Sequence, residues 1–66
     1  MNFSKISAGI FMAKSQAGDF YYVAGQRGDW QLEIERASDR FQLHNLGGWG
    51  TKAEAMRAAD NVAARK

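Results

Sequence analysis

The amino-acid sequence predicts an α+β fold, with an antiparallel sheet of three to four strands and one carboxy-terminal helix packed on one face. Three observations support this prediction. Short apolar and aromatic runs alternate with turn-like segments across residues 9–46, a strict apolar-polar alternation marks residues 30–35, and an alanine-rich helical pattern occupies residues 51–65. The strands therefore precede the helix, in a single domain of residues 1–66.

Length and composition limit what the chain can do. Its 66 residues are 45% hydrophobic and 24% charged and include no cysteine, so we expect a small globular domain without disulfides or thiolate metal sites. The net charge of +2 is spread along the chain, which gives little indication of an anionic partner. Because there is no long apolar block for a signal peptide or a membrane span, we expect a cytoplasmic protein that does not bind a membrane.

The first predicted hairpin joins residues 9–14 to residues 20–24. Both segments are apolar and aromatic, and residues 15–19 between them have the composition of a turn. The segment before this hairpin, residues 1–8, contains Phe3 and Ile6. We expect it either to be flexible, to pack on the core or to contact a partner.

The second predicted hairpin follows a break at residues 25–29 and turns again at residues 36–39. Its inward face is apolar and consists of Trp30, Leu32, Ile34, Phe41 and Leu43. Its outward face is polar and consists of Gln31, Glu33, Glu35, Arg40, Gln42 and His44. If residues 37 and 38 form a two-residue turn, Ile34 lies opposite Phe41, and opposed residues agree in character throughout. A slip by two residues preserves the same faces, so the turn itself stays open.

The helix has a recognisable start and a recognisable buried face. Thr51 can accept a hydrogen bond from a first-turn amide, and Glu54 can reach back to the amide of Thr51, which is the capping-box arrangement. Small residues recur at spacings of three and four along one stripe, namely Ala55, Ala58, Ala59 and Val62. We therefore expect the helix to approach the sheet closely, with Trp30, Ile34, Phe41 and one phase of residues 20–23 supplying the bulk of the core.

Residues 47–50, with the sequence Gly-Gly-Trp-Gly, stand immediately before the helix. The glycines leave the backbone free to adopt positive φ values, so we expect a mobile segment that carries Trp49 beside the helix start. The indole then either folds back over the edge of the core or contacts a partner, since tryptophan is favoured in both settings.

Three motifs together resemble known small domains. They are Gly-Asp-Trp-x-Leu-x-Ile at residues 28–34, Gly-Gly-Trp-Gly at residues 47–50 and Thr-Lys-Ala-Glu-Ala-x-x-x-Ala at residues 51–59. Their order resembles a family of short, uncharacterised bacterial and phage β-β-β-α domains, which implies an accessory or inhibitor protein of a phage or mobile element. More distantly, it is similar to the AP2-like amino-terminal domain of tyrosine integrases, which implies a module that binds arm-type DNA sites with its sheet.

The outward strand face departs from what DNA binding requires. A sheet that enters a DNA groove offers donors to phosphates and base edges, whereas the strand at residues 30–35 offers Gln31, Glu33 and Glu35. Cations that can still touch a DNA backbone lie on the predicted helix: Lys52, Arg57, Arg65 and Lys66. We keep DNA binding as the alternative, and a solvated helix face explains the same cations.

Nothing in the sequence indicates catalysis, a cofactor or a metal. The chain has one histidine and no cysteine. An imidazole beside Gln31 or Glu33 can in principle share a proton or hold a metal weakly, but we favour an exposed cross-strand polar pair, which explains His44 without such chemistry. Glu33 and Glu35 project from one exposed face without the apolar pocket that an acid-base pair requires.

The sequence therefore predicts a non-enzymatic module that binds another macromolecule, most simply a protein. The residues that we expect to contact this partner lie on the outward face and in the glycine-rich segment: Gln31, Glu33, Glu35, Gln42, His44 and Trp49. DNA remains the alternative partner.

Overall fold

A computed structural model describes residues 1–64, with Arg40 described by its backbone alone. The elements in chain order are β1 (Ser4–Ser7), β2 (Ile10–Lys14), β3 (Phe20–Gln26), β4 (Asp29–Arg36), β5 (Asp39–Trp49) and α1 (Lys52–Ala64). The strands form one antiparallel sheet in the order β1-β2-β3-β4-β5. The predicted α+β class is confirmed, and the sheet has five strands where three to four were expected.

The core lies between one face of the sheet and α1. Alternate residues of β3 and β4 point toward the helix and are fully buried, namely Tyr21, Val23, Leu32 and Ile34. On the helix, Ala55 and Ala59 are also fully buried, and Ala58 and Val62 pack beside them. The predicted alanine stripe is therefore the buried face of α1, because small side chains let the helix approach the sheet.

The turn between β2 and β3 is tied to the turn between β4 and β5 by a buried carboxylate. The backbone amides of Gly18 and Asp19 donate hydrogen bonds to the carbonyl and hydroxyl oxygens of Ser15, at 3.0 and 3.1 Å. The Asp19 side chain accepts a hydrogen bond from the amide of Ala37 at 2.8 Å. A buried carboxylate needs such partners, and this one links the two hairpins at the same end of the sheet.

The predicted register between β4 and β5 is wrong, although the turn is right. Arg36 pairs with Asp39 across residues 37 and 38, but the next pair is Ile34 with His44. Between these two pairs β4 has one residue and β5 has four, so β5 carries three extra residues in a bulge. An odd number of extra residues exchanges the two faces of a strand.

The bulge reverses the predicted directions of the β5 side chains. Phe41 is 99% exposed and Leu43 is 55% exposed, so neither belongs to the core as expected. His44 shares the helix-facing side with Ile34, where the sequence predicted it to point outward. A second bulge at Leu46 restores the phase, because Glu33 pairs with Asn45 and Leu32 pairs with Gly47. The expected outward direction of the Arg40 side chain lies outside what the structure describes.

The amino terminus of α1 is capped by Thr51. The Thr51 hydroxyl oxygen accepts a hydrogen bond from the amide of Glu54 at 3.2 Å and donates one to the Glu54 carboxylate at 3.0 Å. The Glu54 side chain therefore meets the hydroxyl of Thr51, where a standard capping box uses the backbone amide. The carbonyl of Thr51 accepts the first helical hydrogen bond, from Ala55, at 3.2 Å.

We expect Thr51→Ala to lower the free energy of unfolding by about 1 kcal/mol, the usual cost of losing a helix cap. Urea denaturation would measure the loss. Thr51→Ser is the matched control, since it keeps the hydroxyl and should retain most of the stability. Equal midpoints for Thr51→Ala and the unmodified chain would mean that the cap does not stabilise the helix.

Candidate functional site

The face of the sheet turned away from α1, called here the open face, has no helix or strand packed on it within residues 1–64. Its members alternate with the buried residues and follow from the strand pairings. On β2 and β3 they are Ile10, Met12, Lys14, Phe20, Tyr22 and Ala24, and on β4 and β5 they are Gln31, Glu33, Glu35, Leu43 and Asn45. The open face is therefore apolar on β2 and β3, apart from Lys14 at the end of β2, and polar on β4.

The apolar part of the open face contains a shallow groove of about 290 Å³. Its walls come from β1 to β5, and its lining residues are Ile6, Ile10, Tyr22, Ala24, Glu33, Glu35 and Leu43. Ile6 is 51% exposed and Leu43 is 55% exposed. Groups of large apolar side chains left in contact with water mark binding surfaces in many proteins.

The polar border of the groove is partly fixed by hydrogen bonds. The side-chain amide of Gln31 donates to the Asp29 carboxylate, and its oxygen accepts from the Asn45 amide, both at 3.1 Å. Asn45 also accepts a hydrogen bond from the amide of Gly47 at 2.8 Å. Gln31 is thus held within the sheet, and Glu33 and Glu35 supply the carboxylates of the groove wall.

A positive charge lies at the other side of the open face. Lys14 ends β2 and is exposed, and its ammonium group stands 5.7 Å from the centre of the Phe20 ring. Lys14 pairs with Phe20, and Phe20 pairs with Glu35. One row across three strands therefore runs from a cation, over an aromatic ring, to a carboxylate.

The residues predicted to contact a partner do not share one surface. Gln31, Glu33 and Glu35 lie together on the open face, while His44 lies on the side that faces the helix. Gln42 is exposed within the bulge of β5. The expected placement of His44 beside Gln31 or Glu33 on one face is therefore wrong. Whether any of these residues contacts a partner stays a prediction.

Trp49 is part of a strand, where a mobile segment was expected. It ends β5, pairs with Trp30 and packs against the core cluster. Its ring lies over Gly47, where a Cβ would meet the indole at 3.3 Å. Gly47 thus leaves the space that the indole fills. Of the two placements considered for Trp49, the structure shows the one at the edge of the core.

Two of the cations named for DNA contact, Lys52 and Arg57, lie on α1 within the described residues. At the start of α1, the ammonium group of Lys52 stands 4.3 Å from the centre of the Phe11 ring. Arg57 lies further along α1 and is exposed. Arg65 and Lys66 lie outside the described residues. A lysine over an aromatic ring is stabilised by the π-electron density of its face, so Lys52 already has a partner within the fold.

Residues 1–64 offer no metal site and no membrane-spanning helix. No group of three or more His, Asp or Glu side chains comes together there as metal ligands. No helix in that part of the chain is long and apolar enough to cross a bilayer.

Sequence reasoning missed the apolar residues of the open face and its groove, namely Ile6, Ile10, Met12, Tyr22 and Leu43. A signal for it was present, because β2 and β3 are apolar at successive positions and do not alternate. Such runs are typical of strands that are covered on both faces.

Comparison with known proteins does not identify a relative of this chain. The predicted resemblance to small phage domains and to integrase arm-binding domains stays a prediction. No family model, no curated protein and no solved structure matches the chain.

Proposed function

We propose that the chain is a non-enzymatic module that acts by binding a protein through the open face of its sheet. The observation that carries this proposal is the composition of β2 and β3, whose side chains are apolar on both faces although α1 covers only one. Strands of this kind are normally buried on both sides. Covering the open face with another protein removes Ile10, Met12 and Tyr22 from water and supplies the second layer.

The charge of the open face favours protein over nucleic acid. Glu33 and Glu35 line the wall of the groove, and carboxylates on a binding surface are repelled by phosphates, which dominate the affinity for nucleic acids. Charged residues around an apolar centre are instead the usual arrangement of a protein interface. Together with the resemblance to short phage domains, this supports an accessory or inhibitor role that depends on protein contact.

Capture from a cell extract with matched variants tests the proposal. Leu43→Lys places a charge in the groove, and Ala53→Lys places the same charge on an exposed position of α1. We expect a protein identified by mass spectrometry to be retained by the unmodified chain and by Ala53→Lys, and to be lost by Leu43→Lys, with nuclease present throughout. Equal retention by both variants would contradict the open face as the binding surface.

DNA binding is expected to be weak for the unmodified chain. Glu33→Lys combined with Glu35→Lys should strengthen binding to duplex DNA, because each added cation releases a phosphate counterion. Fluorescence anisotropy over a salt series would measure both proteins. Tight DNA binding by the unmodified chain at physiological salt would instead favour the integrase-like alternative.

A further inference from the structure

We propose that the protein that covers the open face is a second copy of this chain, so that two sheets pack face to face around a two-fold axis. This inference rests on the proposed function, since it names the occupant of the same surface. A two-fold interface requires one patch to be complementary to itself. The open face meets this requirement in its apolar centre and its charges.

The charges select one orientation of the two sheets. If the two-fold axis runs along β3, then β2 of one copy lies over β4 of the other, at the same level along the strands. Lys14 and Glu35 occupy opposite ends of the row that passes through Phe20. Each Lys14 therefore meets Glu35 of the second copy, and the interface gains two opposite-charge contacts.

The other in-plane orientation is unfavourable. A two-fold axis that runs across the strands places β4 over β4 of the second copy, so Glu33, in the middle of that strand, lies close to its own equivalent. Like charges brought together in an interface cost free energy and disfavour that arrangement. The preferred axis instead brings the middle of β3 against itself. Tyr22 and Ala24 lie there on the open face, and apolar residues pack well against their own copies.

The size of the face predicts a reversible dimer. Five strands about 4.8 Å apart and roughly seven residues long at about 3.3 Å each give a flat footprint of roughly 450 Å². A standard interface buries about 800 Å² on each partner. The footprint is smaller than this, so we expect a weak, reversible dimer whose copies separate on dilution.

Reversing the charge at position 14 or at position 35 tests the proposal, with self-association measured by sedimentation equilibrium. Lys14→Glu and Glu35→Lys each turn both attractive contacts into repulsive ones, and we expect each to weaken self-association by about tenfold or more. Mixing the two variants in equal amounts should restore association to near the level of the unmodified chain. In the mixed dimer both contacts between position 14 and position 35 join opposite charges, one with the native signs and the other with the signs exchanged. Arg57→Glu, on the exposed side of α1, serves as the control and should not change association.

The outcomes separate this inference from the proposed function. An unmodified chain that stays monomeric up to about 1 mM, or a mixture that associates no better than either variant alone, would overturn the second copy as occupant. If Leu43→Lys then still abolishes the capture of another protein, the open face remains a binding surface with a different occupant. Circular dichroism checks that each variant folds, and Leu43→Lys provides a second variant that should prevent dimerisation if Glu35→Lys perturbs the fold.

Discussion

Leu32→Ala is expected to lower the free energy of unfolding by about 2 to 5 kcal/mol, the range measured for truncating fully buried leucines. Leu32 has no exposed surface and lies at the centre of β4, against α1. A domain of this size has a total stability of roughly 3 to 10 kcal/mol. Urea denaturation, at a protein concentration low enough to keep the chain monomeric, would therefore show a large shift in midpoint.

Leu43→Ala is the matched control for this prediction. It removes the same atoms from a side chain that is 55% exposed, so we expect a loss of about 0.5 kcal/mol or less in the monomer. The two variants also test the register of β5, because the sequence predicted both leucines to face inward. Similar losses at the two positions would mean that the bulge in β5 is misplaced.

Gly25→Ala is expected to cost about 3 kcal/mol or more, since backbone strain and a collision add together there. Gly25 has a φ of +150°, and a Cβ at this position would collide with the carbonyl oxygen of Asp29 and stand 3.0 Å from the Cα of Trp30. Its amide also donates a hydrogen bond to the carbonyl of Gly9 at 3.0 Å. The substitution therefore forces β3 and β4 apart where they are paired.

Gly28→Ala separates the cost of backbone strain from the cost of the collision. Gly28 also has a positive φ, at +84°, but a Cβ there meets no atom within 4 Å. We expect it to cost only the strain of the left-handed conformation, about 1 to 2 kcal/mol. If thermal unfolding shows the same loss for both glycines, the close approach of Gly25 to Asp29 is not a constraint on the fold.

The parts of the fold that were predictable are those in which local pattern and tertiary packing agree. The alternation of β4 placed Leu32 and Ile34 in the core, and the three- and four-residue spacing of Ala55 and Ala59 gave the buried face of α1. Thr51 marked the helix start. In each case a single period decides which side of an element is buried, and no distant residue is needed to read it.

The bulges of β5 were not predictable from the sequence. A bulge adds residues to one strand relative to its neighbour, and it leaves no mark in the pattern of apolar and polar residues. Phe41 and Leu43 fit the inward pattern by parity, yet the three extra residues opposite Glu35 turn that part of the strand over. β1 was missed for a different reason. It has four residues and no buried side chain, so it forms by pairing with β2 and has no hydrophobic pattern of its own.

The open face was only partly predictable. Gln31, Glu33 and Glu35 were expected to lie together on an uncovered surface, and they do. The apolar half of the face comes from β2 and β3, where one phase of each strand fills the core and the pattern does not say what covers the other phase. Runs such as residues 10–13 and 20–24, with one helix among residues 1–64, indicate that a sheet lacks a cover on one side.

The alkylation rate of a single cysteine in the groove tests most directly whether a second copy covers the open face. The chain has no cysteine of its own, and Ala24→Cys adds one sulfur atom at the groove floor on β3, beside the proposed axis. The rate should fall as protein concentration rises through the range of dimer formation, while the rate at Ala53→Cys on α1 stays constant. A rate at position 24 that is independent of concentration would contradict the proposed dimer.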